Sequence, residues 1–375
     1  MSKGEITILC SGFGLGLYVP GLLLENSLEQ YGIPAKVHVF EDLIDDEKKV
    51  QVLKSKKAYH KNHSVALMST RIPMDMRKSI DIHLVDQLIG LWEREERQNF
   101  IVLSGHWLHV LEEFKERNSS RKINIHILYV DGELSPSWKS IKSMKANYNQ
   151  GMQEICLYDR EKLSIQFQIP ITDKPPVPYT KRNGRFLIHG GGWGVGNYQE
   201  KIPELEDEGI PLDIVVYDIF EAKANRNKNR YFMIDSTWEA WEKNKNDRYE
   251  FPPLTQIIEG TESYFEGDDR YHSLFEITRE ANAIIGKPGA GTLMDSLGAA
   301  TPLIILEPFC DHELKNAQVW ESAGFGIRYE KWKESGYSTD MLKTLHDNLI
   351  EKRAQIADIS LYFAQKVMEM SEAEH

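Results

Sequence analysis

The sequence predicts an α/β protein in which two Rossmann-like domains face a central cleft. Three observations carry this. Short apolar runs alternate with helical stretches, which is the grammar of a parallel, doubly wound sheet. A strand, a glycine-rich turn and a helix open the chain at Glu5, and the same succession restarts at Arg185. Between them lies Ile169–Gly184 (IPITDKPPVPYTKRNG), whose proline and polar content reads as a linker. A length of 375 residues also exceeds one ordinary core. The expected divisions are a first domain over 1–170, a linker over 171–184, a second domain over 185–345, and a C-terminal helix over 346–375 packing back across the cleft.

In the first domain, Glu5–Cys10 (EITILC) reads as a buried strand entering the turn Ser11–Pro20 (SGFGLGLYVP). Val19–Gln30 reads as a helix with Leu22, Leu23 and Leu28 on its apolar side, and Ala35–Phe40 as the second strand. Arg77–Arg97 has helical periodicity. Phe100–Leu103 is a strand leading into SGHW, and Ile123–Val130 and Glu154–Tyr158 are the next two. In the second domain, Arg185–His189 runs into Gly190–Asn197 (GGGWGVGN), followed by strands at Leu212–Tyr217, Ala283–Gly286 and Pro302–Leu306. The charged stretch Lys223–Asp269 reads as a surface excursion. Tyr337–Met370 is amphipathic, with Met341, Leu342, Leu345, Leu349 and Ile356 at helical spacing, and reads as core packing.

Composition excludes some classes. Net charge is -12, from 57 acidic and 45 basic residues. That argues against a nucleic-acid partner, which needs a basic footprint, and weakly against tight docking on anionic membranes. Cys10, Cys156 and Cys310 have no zinc-site spacing and read as reduced thiols of a cytoplasmic protein, the first two within the core. The N-terminus has no cleavable signal pattern, and no apolar run approaches the roughly 20 residues that span a bilayer.

The segment from Asn282, NAIIGKPGAGTLMDSLGAATPLIILEPFCDHELKNAQVWESAGFGI, carries most of the chemistry. A strand enters KPGAGT, and a helix starts near Thr292. Gly289 and Gly291 remove side chains where backbone must approach a ligand. Unpaired amides at the helix start, with the positive end of the helix dipole behind them, make an anion site suited to a diphosphate. Lys287 stands at its edge, and Asp295 lies one turn in, placed for ribose hydroxyls. The next strand, Pro302–Leu306, leads to a second helix start carrying His312, Glu313 and Asn316. Two such turns side by side, at the carboxyl ends of parallel strands, mark a ligand crevice.

Here the chain resembles the donor domain of GT-B glycosyltransferases, especially the group of the peptidoglycan N-acetylglucosaminyltransferase, the diacylglycerol glucosyltransferases and the UDP-glycosyltransferases. The matching residues are Gly289-Ala290-Gly291-Thr292, Asp295, Ala299-Ala300-Thr301-Pro302, and His312-Glu313 before Asn316-Ala317. The close match covers about forty-five residues. The resemblance implies that Gly289, Ala290, Gly291 and Thr292 hold the donor diphosphate, that Asp295 binds the ribose, and that His312 and Glu313 read sugar hydroxyls. It places Gly192, in the second glycine turn, near the donor phosphates, and Tyr271 near the base. It implies a hexosyl transfer from a UDP-sugar, or second a dTDP-sugar, to an acceptor, with inversion. No cofactor beyond the donor and no metal ion is expected, because amides and the helix dipole can stabilise the departing diphosphate. Asp295 is shorter than the usual glutamate, and His312-Glu313 differs from the common polar pairs. Glu313 and Glu321 have the spacing of a retaining pair but fall in the wrong helix.

The general base is not where the resemblance puts it. Related enzymes often carry a histidine three residues before a proline in the first turn; here that position is Leu17, before Pro20. Tyr18, at an unperturbed pKa of ~10, is a poor base. The turns SGHWLH and VDGELS offer His106, His109, Asp131 and Glu133, of which His106 and Asp131, each just past a strand, are the candidates. Two other readings stand beside the transferase. One is a nucleotide-sugar-binding protein without turnover. The other is an NAD-dependent dehydrogenase, suggested by GxGxG after the first strand with Glu41 ending the second.

Overall fold

The computed structural model describes residues 5–69, 75–222 and 228–373. In the first domain β1 (Ile6–Cys10) is followed by α1 (Leu15–Gln30), β2 (Ala35–Val39), α2 (Asp46–Lys61), α3 (His63–Ser69) and α4 (Ile82–Arg94). Then come β3 (Asn99–Val102), α5 (Leu108–Arg117), β4 (Asn124–Tyr129), α6 (Pro136–Met144) and β5 (Gln153–Cys156). Among the described residues these strands form a sheet in the order β2-β1-β3-β4-β5, every pair parallel. Helices cover both faces, so β1 is buried along its whole length. Ile6, Ile8 and Cys10 pack with Leu22, Leu23 and Leu28 of α1 on one face. Leu9 packs with Trp92, Phe100 and Trp107 on the other.

Three short pairing segments, β6 (Tyr158–Asp159), β7 (Ser164–Ile165) and β8 (Phe167–Gln168), lead to the linker. The second domain opens with β9 (Phe186–His189), α7 (Tyr198–Asp207) and β10 (Leu212–Val215). It continues with β11 (Arg230–Ile234), β12 (Leu254–Ile258), β13 (Thr261–Tyr264), α8 (Leu274–Glu280) and β14 (Ala283–Gly286). After these come α9 (Ala290–Ala299), β15 (Leu303–Ile305), α10 (Asp311–Ala323), β16 (Gly326–Arg328) and α11 (Tyr329–Glu334). The sheet order is β13-β12-β11-β10-β9-β14-β15-β16, with β12 antiparallel to both its neighbours. The carboxyl ends of β1, β3, β4, β9, β14 and β15 therefore all deliver their turns to the space between the domains.

Two expectations need correction. The stretch Lys223–Asp269 is not a mere surface excursion. Its residues 223–227 lie outside the described residues, but β11, β12 and β13 extend the sheet, and the loop 235–253 straps the second domain onto the first. Tyr249 donates to Asp42, Tyr18 donates to the Glu250 carbonyl at 2.8 Å, and Ala240 is fully buried beside Gly12. Polar composition hid this, because the strap's apolar residues are dispersed rather than periodic. The tail is also two helices, α12 (Thr339–Arg353) and α13 (Ile359–Ala373), separated where β17 (Ala357–Asp358) pairs with β8. The expected division at 345/346 falls inside α12, which packs on α9, while α13 packs on α1.

Gly12 shows how closely the strap fits: a β-carbon there would stand 2.5 Å from Ala240 Cβ and 3.3 Å from Val39. Gly12→Ala is therefore expected to lower the unfolding free energy by about 1–3 kcal/mol through overpacking. Urea denaturation of the two chains checks it.

Candidate functional site

A cleft of about 400 Å³ lies between the domains, within the size range of small-molecule sites. On its second-domain side α9 begins. Gly289 is the N-cap in extended conformation, and no side chain caps the helix. The first intrahelical bond is made by the Leu293 amide to the Gly289 carbonyl. The amides of Ala290, Gly291 and Thr292 precede it and have no partner within the helix. A β-carbon on Gly291 would meet nothing within 4 Å, so this end of the helix opens into the cleft. No acidic residue occupies the first turn; the acid near it is Glu313 of α10, whose Oε1 would stand 3.6 Å from a β-carbon on Gly289.

Asp295, one turn in, is buried and accepts a hydrogen bond from His272 Nε2 at 2.9 Å. His272 lines the cleft. Lys287 pairs with Glu313 at 3.0 Å, and the other Glu313 oxygen accepts from the Phe309 amide at 2.6 Å. Burial opposes ionisation of Glu313, yet Lys287, His312 and the Phe309 amide together hold its carboxyl below the usual range. His312 lies beside Cys310, Nδ1 to Sγ 3.1 Å. Burial pushes that thiol up to about 12, so it stays protonated at neutral pH. His189 accepts from the Gly191 amide at 3.0 Å, and burial pushes its imidazole down to about 4.

The turn Gly190–Asn197 uses its glycines structurally: Gly191, Gly194 and Gly196 have φ of 73°, 58° and 128°. Gly192 lines the cleft, although its α-carbon lies against Leu15 of the first domain, where a β-carbon would come within 2.6 Å. Trp193 meets Phe13 edge-on at 4.5 Å and stacks on Tyr59. His60 of α2 binds the Gly194 carbonyl at 2.9 Å and pairs with Glu221, so the first domain clamps this turn.

On the first-domain side, Asp131 follows β4 and His106 sits in the short turn Gly105–Trp107 after β3. Both line the cleft. Burial pushes the His106 imidazole down to about 4, with His109 adding to the shift, and leaves it neutral at neutral pH. Burial raises the Asp131 carboxyl above its usual range, against the opposing pull of His312 and Asn316. Asn316 of α10 reaches across the cleft. Its Nδ2 donates to Asp131 at 2.8 Å and to the Pro288 carbonyl at 2.9 Å, and its Oδ1 accepts from the Gly132 amide at 2.6 Å.

The first glycine turn is already filled. Glu41, buried at the end of β2, accepts from Ser11 Oγ at 2.7 Å and from the amides of Gly12 and Phe13 at 2.6 and 2.8 Å. A carboxylate thus stands where a dinucleotide's pyrophosphate would lie, and Glu41 is not free for a ribose. This overturns the dehydrogenase reading.

The structure thus brings Gly289, Ala290, Gly291, Thr292, Asp295, His312, Glu313, Gly192, His106 and Asp131 to one cleft. Tyr271 is a correction. Its side chain is 1% exposed and does not line the cleft; its hydroxyl receives a hydrogen bond from Lys174 at 2.9 Å and donates to Glu276. Its neighbour His272 faces the cleft instead, a one-residue difference that the turn before α8 gives no periodicity to resolve. Tyr18 points away into the strap, Glu133 pairs with Arg160 at 3.0 Å, and His109 lies beside Glu112. Among the described residues no cluster of His, Cys, Asp and Glu is arranged to hold a metal ion, and no helix is long and apolar enough to cross a membrane.

Removing the Asn316 amide would strand the Gly132 amide in the buried cleft floor and remove two further bonds. Asn316→Ala is expected to destabilise the protein by roughly 1–3 kcal/mol, read as a lowered urea midpoint at unchanged far-UV circular dichroism.

No family model matches the chain. Over 90 residues it is 30% identical to the UDP-N-acetylglucosamine--N-acetylmuramyl-(pentapeptide) pyrophosphoryl-undecaprenol N-acetylglucosamine transferase of Nostoc sp.. That match covers 23% of this chain and spans 24% of the relative, about a quarter of its length. Among solved structures, the glycosyltransferase SsfS6 of Streptomyces sp. SF2575, complexed with thymidine diphosphate, superposes with a TM-score of 0.56 at 11% identity, covering 98% of this chain and 99% of that one. SnogD of Streptomyces nogalater gives 0.55 at 12% identity, with complete coverage of both chains. MurG of Acinetobacter baumannii gives 0.50 at 12% identity, covering 97% and 99%. The chain has the GT-B fold of these glycosyltransferases.

Proposed function

We propose that this protein is a glycosyltransferase that moves a sugar from a nucleoside diphosphate, UDP first and dTDP second, to an acceptor held by the first domain. The observation that carries the reading is the uncapped start of α9, opening on the cleft with Asp295 one turn behind it. The reading puts the donor diphosphate on the amides of Ala290, Gly291 and Thr292, and the ribose against Asp295 with His272 orienting that carboxylate. His312 faces the sugar. Glu313 serves mainly to hold Lys287 at the rim of the diphosphate site.

In this reading the acceptor oxygen attacks the anomeric carbon from the first-domain side with inversion. The bond to the diphosphate breaks toward α9, whose amides and dipole take up the developing charge. Chelators are then expected to leave the rate unchanged. The acceptor's proton goes to Asp131 or His106. Burial raises the Asp131 carboxyl and so strengthens it as a base, whereas it pushes the His106 imidazole down to about 4 and weakens it, which favours Asp131. The three free cysteines support a reducing compartment, the cytoplasm.

A second reading, a nucleotide-sugar binder without turnover, draws on Leu17 standing where resembling enzymes carry a histidine. Turnover of a UDP-sugar with an acceptor, followed by mass shift, separates the two; retained UDP affinity without product would favour the binder.

Asp295→Ala is expected to weaken UDP binding by roughly 1–3 kcal/mol, about tenfold to a hundredfold, in calorimetric titration. Unchanged affinity would remove Asp295 from the site. Asp131→Asn is expected to lower kcat by about 10²–10⁴ with UDP affinity intact. In the unsubstituted chain kcat should fall as pH drops through the raised Asp131 range, because the carboxylate is the working form. That limb should vanish in the variant. Near-normal kcat in both Asp131→Asn and His106→Ala would refute the base assignment.

A further inference from the structure

The sheet of the second domain reverses its winding between β9 and β14. From β9 the order runs through β10, β11 and β12 to β13 at one edge, and from β14 through β15 to β16 at the other. A crevice opens outside the carboxyl ends of the strands at such a point. There β9 ends on His189, opposite Gly286 in the parallel register. His189 is 6% exposed and lines the cleft together with residues 289–292. A β-carbon on Gly286 would stand 3.7 Å from His189 Nε2, which puts that nitrogen where the chain leaves β14 for α9.

One hydrogen bond fixes the tautomer of this ring. The Gly191 amide donates to Nδ1 at 3.0 Å, so Nδ1 carries no proton. Burial pushes the imidazole down to about 4, so the ring is neutral at neutral pH and its single proton is on Nε2. Among the described residues no group accepts from Nε2. The polar side chains around it are matched to one another, Asp295 with His272 at 2.9 Å and Lys287 with Glu313 at 3.0 Å. A buried donor without a partner is costly, and a ligand that accepts from it removes the cost.

We propose, resting on the transferase reading, that His189 Nε2 donates a hydrogen bond to the diphosphate of the donor nucleotide. The direction of the bonds selects the diphosphate. The amides of Ala290, Gly291 and Thr292 and the Nε2–H of His189 can only donate, and a diphosphate has oxygens that accept. Ribose hydroxyls also have protons to give, and the acceptor facing them is Asp295. The ring then holds Gly191 with one nitrogen and the ligand with the other, so the second glycine turn and the diphosphate are joined through a neutral side chain.

Two substitutions separate these two bonds. Asparagine puts a carbonyl oxygen where Nδ1 stands and nothing at Nε2. Glutamine reaches the Nε2 position and leaves the Gly191 amide without its acceptor. In calorimetric titration of the full chain, His189→Asn is expected to weaken UDP binding about tenfold or more. Uridine affinity, read by competition with UDP, should stay unchanged. His189→Gln should bind UDP more tightly than His189→Asn. Unchanged UDP affinity in His189→Asn overturns the proposal and leaves the ring only its hold on Gly191. An equal loss for uridine also overturns it, by moving the contact to the nucleoside, as does weaker UDP binding in His189→Gln than in His189→Asn. If His189→Gln does not fold, the UDP and uridine affinities of His189→Asn still decide. Failure of the unsubstituted chain to bind UDP sinks the transferase reading and this proposal together. A loss of UDP affinity in Asp295→Ala but not in His189→Asn sinks this proposal alone.

Discussion

The first three amides of a helix have no partner within it, and something must answer them. In a doubly wound fold the helix starts gather at one end of the sheet, so these demands converge on the cleft. In this chain neither α1 nor α9 has a side-chain cap, but the turns of the two halves are held differently. In the first domain the Glu41 carboxylate meets the amides of the turn preceding α1. In the second, His189 meets one amide of the turn after β9, and at α9 no side chain responds. The turn before α1 is thus filled from within by Glu41, while the starts of α1, α6 and α9 carry no side-chain cap and line the cleft.

Bringing those halves together requires the cleft floor to be polar yet buried, which is costly unless every group is matched. Asn316 matches three groups at once by using its donor and its acceptor in opposite directions. The strap 235–253 and the α13–α1 contact complete the enclosure on the other sides, and a hydrophobic core runs through both domains without a break at the linker. The position of Asp131 is therefore set by α10 of the opposite domain as much as by β4.

Much of the fold could be read from the sequence because buried parallel strands are short, apolar and bounded by turns. Ala283–Gly286 lies where the sequence puts it, and Glu5–Cys10 differs by one residue. The turn between β14 and α9 was legible for the same reason: Gly289 and Gly291 mark it between an apolar strand and a helix. Three features escaped. The strap is polar by composition and acquires its burial from contacts more than two hundred residues away. His272 rather than Tyr271 faces the cleft, because a turn lacks a period from which a facing residue can be deduced. Glu41 fits the acidic position of the dinucleotide alternative because its place after β2 is the same whether it turns outward to a ligand or inward to the first turn; the 2.6 Å distance to the Gly12 amide distinguishes the two.

The fastenings between the domains differ in kind. At the centre Asn316 is uncharged. Around the edge lie exposed ion pairs, Lys139 with Asp311 at 2.6 Å, Lys36 with Asp247 at 3.3 Å, and Arg248 with Glu29. Exposed charges are screened over about 8 Å at physiological ionic strength, while buried neutral hydrogen bonds are largely insensitive to salt. The molecule is thus a clasp whose outer edge loosens as electrolyte rises and whose pin does not. Ionic strength therefore acts on the outer fastenings between the domains separately from the alignment of the groups at the cleft floor.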